Sequence, residues 1–187
     1  MMKNKIIFLD IDGVLNTEVF VRCYLQTLRH IGKIKGENFM KKELSDIIPH
    51  DHFGALFCPV SCGFLEHIIQ ETKADIVISS TWRFSGLKHI RELWEHRNLP
   101  GNVIDVTPHM RSNSINEIDL SFKERAERGN EIKEWMKRNN FTGNYVIIDD
   151  DDDVLPEQES HFIQTNHMYG ITFDHATDSI NILNDEE

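Results

Sequence analysis

The sequence has few cysteines and no long apolar run, and each shortage excludes a class of protein. Three cysteines among 187 residues, none of them in a Cys-x-x-Cys pair, argue against a disulfide framework and favour reduced thiols. No apolar stretch approaches the roughly 20 residues that a membrane-spanning helix needs. After Lys5 only four apolar residues, 6–9, precede the first aspartate, which is too short a run for a secretory signal. We therefore predict a cytoplasmic protein without a membrane segment.

Basic residues are also in the minority. Twenty lysines and arginines face thirty-one aspartates and glutamates, so the net charge is −11 and the overall field repels polyanions. The one basic-rich stretch, residues 123–138, is interleaved with glutamates, which is typical of a solvated helix face with i,i+4 ion pairs. Broad coating of nucleic acid is therefore disfavoured, although a local basic site is not.

The pattern along the chain alternates between strands and helices. At 187 residues the chain fits a single domain, residues 1–187, with one hydrophobic core. Alternation of this kind predicts an α/β fold with three layers, a mainly parallel Rossmann-like sheet between helices on both faces. The segment 16–58 is too long for a plain connection and predicts a small cap or lid insertion. Short apolar runs mark four strands: Lys5–Leu9, Asp75–Ile78, Asn102–Val106 and Tyr145–Ile148.

Polar residues follow three of these strands, at the edge where parallel sheets bind ligands. Asp10 and Asp12 lie two residues apart, so on an extended chain their carboxylates point to the same side, about 6–7 Å apart along the backbone. Two anions at that spacing need a cation, and Mg²⁺ is the most available hard divalent ion. A carboxylate freed of repulsion can attack phosphorus, which makes Asp10 a candidate nucleophile.

The segment Phe8–Asn16, with its Asp10-Ile11-Asp12-Gly13 core, resembles the first motif of the haloacid dehalogenase (HAD) superfamily. The resemblance implies a HAD-type fold and a Mg²⁺-dependent phosphatase in which Asp10 becomes an aspartyl phosphate. It implies that Asp12 is the general acid and base, with its main-chain carbonyl on the metal. The run Ile76–Ser79 resembles the second motif, whose hydroxyl contacts phosphate; Ser79 is the first choice, and Ser80 the alternative.

The acidic end of the last strand resembles the fourth motif, which completes the metal site. The resemblance implies Asp149 and Asp150 as ligands, with Asp150 direct, and a further acid for which Asp153 is the best candidate. The third motif is a single basic residue that neutralises the nucleophile and the phosphate. Arg128, in Arg128-Gly129-Asn130-Glu131-Ile132, is our choice. The competitors are Lys123, Arg125 and Lys133.

A closer resemblance, to two groups of repair proteins, bears on which substrate the protein accepts. Segments such as Ser79–Arg83 and Gln164–Thr172 look like the HAD domain of Swiss Army Knife RNA repair proteins, and the chain is also similar to the phosphatase half of polynucleotide kinase-phosphatases. In the latter an arginine shortly after the second motif binds substrate phosphate, which implies Arg83 here, although it follows Ser79 by four positions rather than two. Trp82 either stacks on a base or packs beneath the lid. The implied substrate is a nucleotide or a nucleic-acid terminal phosphate.

Three other functions remain open from the sequence. A HAD phosphatase of another small phosphorylated metabolite would need the same residues. A receiver-type regulatory domain also uses acids and magnesium, but its acidic pair and its acceptor lie on different strands. A phosphate-binding module without catalysis is disfavoured because each catalytic role has a candidate residue. The oligomeric state is open.

Overall fold

The central feature of the structure is a five-stranded parallel sheet. The computed structural model describes residues 5–31, 48–110 and 127–185. The strands of the sheet stand in the order β5-β4-β1-β6-β7, and each pairs in parallel with its neighbours. The α/β fold predicted from the sequence is thereby confirmed. In chain order the seven strands of the described residues are β1 (Lys5–Leu9), β2 (His50–Asp51), β3 (Gly54–Ala55), β4 (Asp75–Ile78), β5 (Val103–Val106), β6 (Asn144–Asp149) and β7 (Phe162–Gln164).

Helices cover both faces of this sheet. On one face, Ile7 and Leu9 of β1 pack in a core with α2, α3 and α5, whose bounds are Pro59–Thr72, Leu87–His96 and Phe173–Asn184. On the other face, Phe8 packs in a second core with α4 (Glu127–Arg138). Both faces are buried because successive side chains of a strand point to opposite sides. Among the described residues, no helix combines the length and the apolar character needed to cross a membrane.

The strand order places Asp10, which follows the central strand β1, between Ser79 and Asp149 at the carboxyl edge of the sheet. β1 lies between β4 and β6, and the pairing continues past its end: Asp10 N–H donates to the Ile148 carbonyl, and Ser79 N–H donates to the Leu9 carbonyl. The connection after β1 leads to β4 on one side of it, whereas the connection after β6 leads to β7 on the other side, and open α/β sheets bind ligands where connections diverge in this way. Asp10 therefore sits at the switch point of the sheet.

The described parts of the predicted cap, segment 16–58, are a helix and a small hairpin. Helix α1 (Glu18–His30) is capped by Thr17, and none of its residues is fully buried. Strands β2 and β3 form the antiparallel hairpin. Arg97, at the carboxyl end of α3, anchors it. Its guanidinium donates to both Asp51 carboxylate oxygens at 2.9 and 2.8 Å and to the carbonyls of Ala55 and Gly54 at 2.9 and 3.1 Å. That the segment acts as a cap stays a prediction.

We expect Asp51→Asn to lower the free energy of unfolding by about 2 kcal/mol at pH 7. The hydrogen bonds from Arg97 lower the pKa of Asp51 to about 2, against about 3.9 in an unfolded chain. A depressed folded pKa stabilises the protein above the unfolded value, and that stability disappears as the pH falls from about 4 to 2. Urea unfolding of both proteins at several pH values measures the effect. A gap between wild type and variant that did not shrink toward pH 2 would contradict it.

Candidate active site

Three carboxylates converge at the carboxyl edge of the sheet. Asp10 follows β1, Asp149 ends β6 and Asp150 comes directly after it, and one oxygen from each lies within 4.8 Å of the others. Asp10 and Asp149 are buried, with 5% and 1% of their surfaces exposed. The sheet forces this proximity, because β1 and β6 are paired up to Leu9 and Ile148.

Burial makes this cluster electrostatically costly. Burial and then the neighbouring Asp10 carboxylate raise the pKa of Asp149 to about 7. Burial also raises the pKa of Asp10, although Arg128 partly opposes the shift. Asp149 Oδ2 is buried and accepts no hydrogen bond from the described residues. A divalent cation would remove the repulsion and use that oxygen, so the residues present fit a hard metal such as Mg²⁺.

Arg128 is the basic residue that contacts the cluster. Its Nη1 donates to Asp10 Oδ1 at 3.0 Å and to the Ser79 carbonyl, and its Nε lies 3.5 Å from Asp149 Oδ2. Burial opposes its charge, but the surrounding carboxylates of Asp149 and Asp10 raise its pKa. Of the competing residues, Lys133 pairs with Glu157 at the surface at 2.7 Å. Lys123 and Arg125 lie outside the described residues.

Asp153, which we expected to bind metal, has a different position. Its two carboxylate oxygens accept hydrogen bonds from the backbone N–H groups of Glu127 and Arg128 at 3.1 and 3.0 Å. A carboxylate at a helix N-terminus satisfies donors that have no partner within the helix and interacts favourably with the helix dipole. Asp153 thus fixes the first turn of α4, and with it the backbone of Arg128, and it is not among the three clustered acids.

Asp12 also lies outside the cluster of three acids. Its carboxylate is exposed, with Oδ1 accepting from Asn16 Nδ2 at 3.0 Å and Oδ2 accepting from Trp82 Nε1 at 2.9 Å. Gly13 next to it has a φ of +75°, and a Cβ there would overlap the Asp150 carboxylate. The turn after β1 therefore requires glycine.

The two serines after β4 differ in their surroundings. The Ser80 hydroxyl lies near enough to the Asp10 carboxylate to lower the pKa of Asp10, and its oxygen accepts from the backbone N–H of Trp82 at 3.4 Å. The Ser79 hydroxyl is fully buried and has no hydrogen-bond partner among the described residues. Successive residues of an extended chain point to opposite sides, so only one of the two side chains contacts Asp10. In this structure it is Ser80, our alternative choice.

Arg83, expected to bind substrate phosphate, is committed to other partners. It is 6% exposed, and it donates to Glu131 Oε2 and to the Ser79 carbonyl, both at 2.5 Å. Burial lowers its pKa, although Glu131 opposes the shift. Glu131 belongs to a second group of candidate metal ligands, with His109 and Glu127, but its pairing with Arg83 already compensates its charge.

An open cavity of about 340 Å³ lies over the acidic cluster. Two of its lining residues, Thr81 and His167, were not predicted from the sequence. Thr81 follows Ser80, and His167 belongs to the loop after β7, whose Thr165 hydroxyl donates to the Gly13 carbonyl at 3.0 Å. Neither has a local sequence signal of function. The lining consists of Asp10, Asp12, Gly13, Thr81, Arg128, Asp149, Asp150, Asp151 and His167.

The half-buried side chain of Trp82 does not line this cavity. Its ring packs against Phe57 with centroids 5.5 Å apart, and Gly54 of the hairpin lies over its edge. The sequence left open whether Trp82 stacks on a base or packs beneath the segment 16–58, and the structure shows packing beneath that segment.

A family of known protein domains matches most of the chain. The family profile described as "HAD domain in Swiss Army Knife RNA repair proteins" matches residues 6–176. Comparisons with curated protein sequences and with solved structures gave no match. The matched range runs from β1 to the first turn of α5 and includes every residue discussed at the cavity.

Proposed function

Because this chain belongs to the family of HAD domains in Swiss Army Knife RNA repair proteins, we propose that it is a Mg²⁺-dependent phosphatase acting through an aspartyl phosphate on Asp10. Family membership supports a HAD-type phosphohydrolase, and the finer statement rests on the site. The observation that carries it is the group of Asp10, Asp149 and Asp150, the first two of them buried, with Arg128 bound to Asp10.

Asp10, Asp149 and Asp150 are the proposed metal-binding side chains, together with the main-chain carbonyl of Asp12. When bound there, Mg²⁺ would neutralise the carboxylates and the phosphate oxygens and draw charge from the phosphorus. Asp149 Oδ2 is buried and accepts no hydrogen bond from the described residues, with only the Arg128 Nε at 3.5 Å, which supports this assignment.

In the proposed reaction the Asp10 carboxylate attacks phosphorus, and the bond to the leaving oxygen breaks. Asp12, in its protonated form, gives that oxygen its proton, so the product leaves as an alcohol. Asp12, now a carboxylate, takes a proton from water, whose oxygen attacks the phosphorus of the aspartyl phosphate. Inorganic phosphate leaves and Asp10 is regenerated, so one water is consumed per turnover.

Arg128 and a serine hydroxyl are proposed to hold the phosphoryl oxygens. The Arg128 guanidinium beside Asp10 can donate to an oxygen of the attacked group without moving far, and a charged donor of this kind stabilises charge in the transition state. Contact with Asp10 favours Ser80 over Ser79 as the hydroxyl donor. The roles proposed for Arg83 and Trp82 in substrate binding are not part of this mechanism, because the side chains are occupied elsewhere.

Metal removal tests the assignment by two readouts. Chelation should abolish turnover, and added Mg²⁺ should restore it. Mg²⁺ should also raise the melting temperature of the wild type by several degrees, because binding only to the folded state stabilises it. Asp149→Asn should show little of that shift, whereas Asp178→Asn, at an exposed position on α5, should keep it. An equal shift in wild type and Asp149→Asn would exclude Asp149 as a ligand.

The proposed substrate is a nucleotide or a nucleic-acid terminal phosphate. Membership in a family of domains from RNA repair proteins favours it. The net charge of −11 opposes long contacts along a polyanion, which favours a short footprint. A phosphatase of another small metabolite is the alternative with the same catalytic residues.

A comparison of kcat/KM between substrates tests the proposed substrate class. We expect nucleoside monophosphates and phosphorylated oligonucleotide ends to have higher kcat/KM than sugar phosphates, with a salt dependence equivalent to about one to three phosphate contacts. Steady-state assays over a salt series measure both. Sugar phosphates hydrolysed as efficiently as every nucleotide and oligonucleotide would overturn the substrate class and leave the phosphatase proposal intact.

A further inference from the structure

Trp82 connects the proposed general acid with the hairpin of β2 and β3. Its indole Nε1–H donates to Asp12 Oδ2 at 2.9 Å across 70 positions of sequence. Its ring contacts Phe57, two residues after the hairpin, at 5.5 Å between centroids. A Cβ at Gly54 would lie 3.2 Å from its Cη2. The indole is thus bounded by the hairpin on one side and bonded to Asp12 on the other.

The hydrogen bond from Trp82 restrains the Asp12 side chain, which would otherwise be mobile. Asp12 is exposed, and an exposed carboxylate exchanges rotamers on a picosecond to nanosecond timescale. Here each of its oxygens accepts a hydrogen bond, one from Asn16 at 3.0 Å and one from Trp82. Asn16 is local to the turn, since its N–H donates to the Ile11 carbonyl and its carbonyl accepts from Gly13 N–H. Trp82 supplies the second hydrogen bond, and two hydrogen bonds fix both the position and the plane of the carboxylate.

The Trp82 indole is itself held rigidly. The Ser80 side-chain oxygen accepts from the backbone N–H of Trp82 at 3.4 Å and so caps the short 3-10 helix Thr81–Ser85. The hairpin that covers the ring is anchored by the four hydrogen bonds that Arg97 donates. A donor fixed from both sides can hold its acceptor in one geometry, and proton transfer is sensitive to displacements of about 1 Å.

We propose that Trp82 is a positioning residue that holds Asp12 in the orientation needed for proton transfer to the leaving group. The inference rests on the proposed function. Since Trp82 acts through Asp12, its loss should matter in proportion to how much a substrate needs a proton on its leaving oxygen.

Trp82→Phe tests this by removing the indole donor and keeping an aromatic ring. We expect kcat to fall about tenfold for alkyl and nucleoside phosphates, whose leaving groups are poor, with KM nearly unchanged. For 2,4-dinitrophenyl phosphate, whose leaving group needs no protonation, we expect the rate of the first-turnover burst to change by less than about twofold; the burst is compared because Asp12 is also proposed to activate water in the second step. A merely structural role for Trp82 would lower both rates together.

Two other tryptophans provide matched controls. Trp94 donates its indole N–H to the Pro100 carbonyl at 2.9 Å and also contacts Phe57, and Trp135 donates to the Asp105 carboxylate at 2.7 Å. Trp94→Phe and Trp135→Phe lose the same kind of hydrogen bond away from Asp12. Neither should change the dependence of kcat on the leaving group.

The contact can also be observed without turnover. In ¹H–¹⁵N spectra, Asp12→Asn should shift the indole resonance of Trp82 and leave those of Trp94 and Trp135 in place; an unmoved Trp82 resonance would overturn the inference. So would a Trp82→Phe enzyme whose loss is the same for every leaving group, or absent, while Asp10→Asn is inactive. Full turnover by Asp10→Asn would instead overturn the proposed function, and the positioning role with it.

Discussion

Asp10→Asn is expected to lower phosphatase turnover to below about 10⁻⁴ of the wild-type rate. The amide is a poor nucleophile and a weaker metal ligand, so the variant loses both contributions of the side chain that lies between β4 and β6 at the switch point of the sheet. The fold should survive, because one fewer buried charge reduces the repulsion with Asp149. Steady-state assays with an aryl phosphate measure the loss.

Two controls accompany this test. Asp178→Asn changes an exposed aspartate on α5 in the same way and should leave turnover unchanged. Acid-quenched wild type should carry covalent phosphate on Asp10, and beryllium fluoride should occupy the same residue. An Asp10→Asn protein with full turnover, or phosphate recovered on a different residue, would remove Asp10 as the nucleophile.

Asp12→Asn is expected to reduce turnover of substrates with poor leaving groups by about 10²-fold or more. The variant should fold and should keep its Mg²⁺-induced rise in melting temperature, since its side chain is not part of the cluster of three acids. The same carboxylate is proposed to activate water, so the second step should also be slow. With 2,4-dinitrophenyl phosphate we therefore expect a rapid burst of one equivalent of 2,4-dinitrophenolate, followed by a slow steady state.

Rapid-mixing kinetics distinguishes this result from a general loss of activity. The burst should be absent in Asp10→Asn, which cannot form the aspartyl phosphate. Near-normal steady-state rates of Asp12→Asn with nucleoside monophosphates would place the acid and base role on another residue.

Local sequence signals predicted the sheet and the acids at its edge. Short apolar runs ending in Asp10 or Asp149 are recognisable because strand, turn and carboxylate are neighbours in sequence. Arg128 was chosen by resemblance to a motif, and the structure brings it to Asp10 across 118 positions of sequence. Its place depends on how α4 packs against the sheet, which periodicity alone does not define.

The partners of several other side chains depend on long-range packing. Arg83 was expected at the phosphate because of its place after the second motif, but Glu131, 48 positions away, binds it. Asp153 was counted with the metal ligands because the family pattern places a further acid shortly after the acidic pair; in the structure its carboxylate accepts from the backbone N–H groups at the start of α4. The choice between Ser79 and Ser80 depends on the residue at which extended structure ends, and sequence patterns locate such ends only to within a few residues.

The anchoring of the hairpin by Arg97 bears on how substrate and product exchange. Movement of β2 and β3 away from Trp82 would break four hydrogen bonds from one guanidinium and expose the Phe57 ring that lies 4.5 Å beneath it. Exchange is therefore expected to proceed with the hairpin in place, past Thr81 and His167 at the cavity wall. Residence time at the site would then depend on the affinity for phosphate and on diffusion through a fixed entrance, and not on the opening rate of this part of the chain.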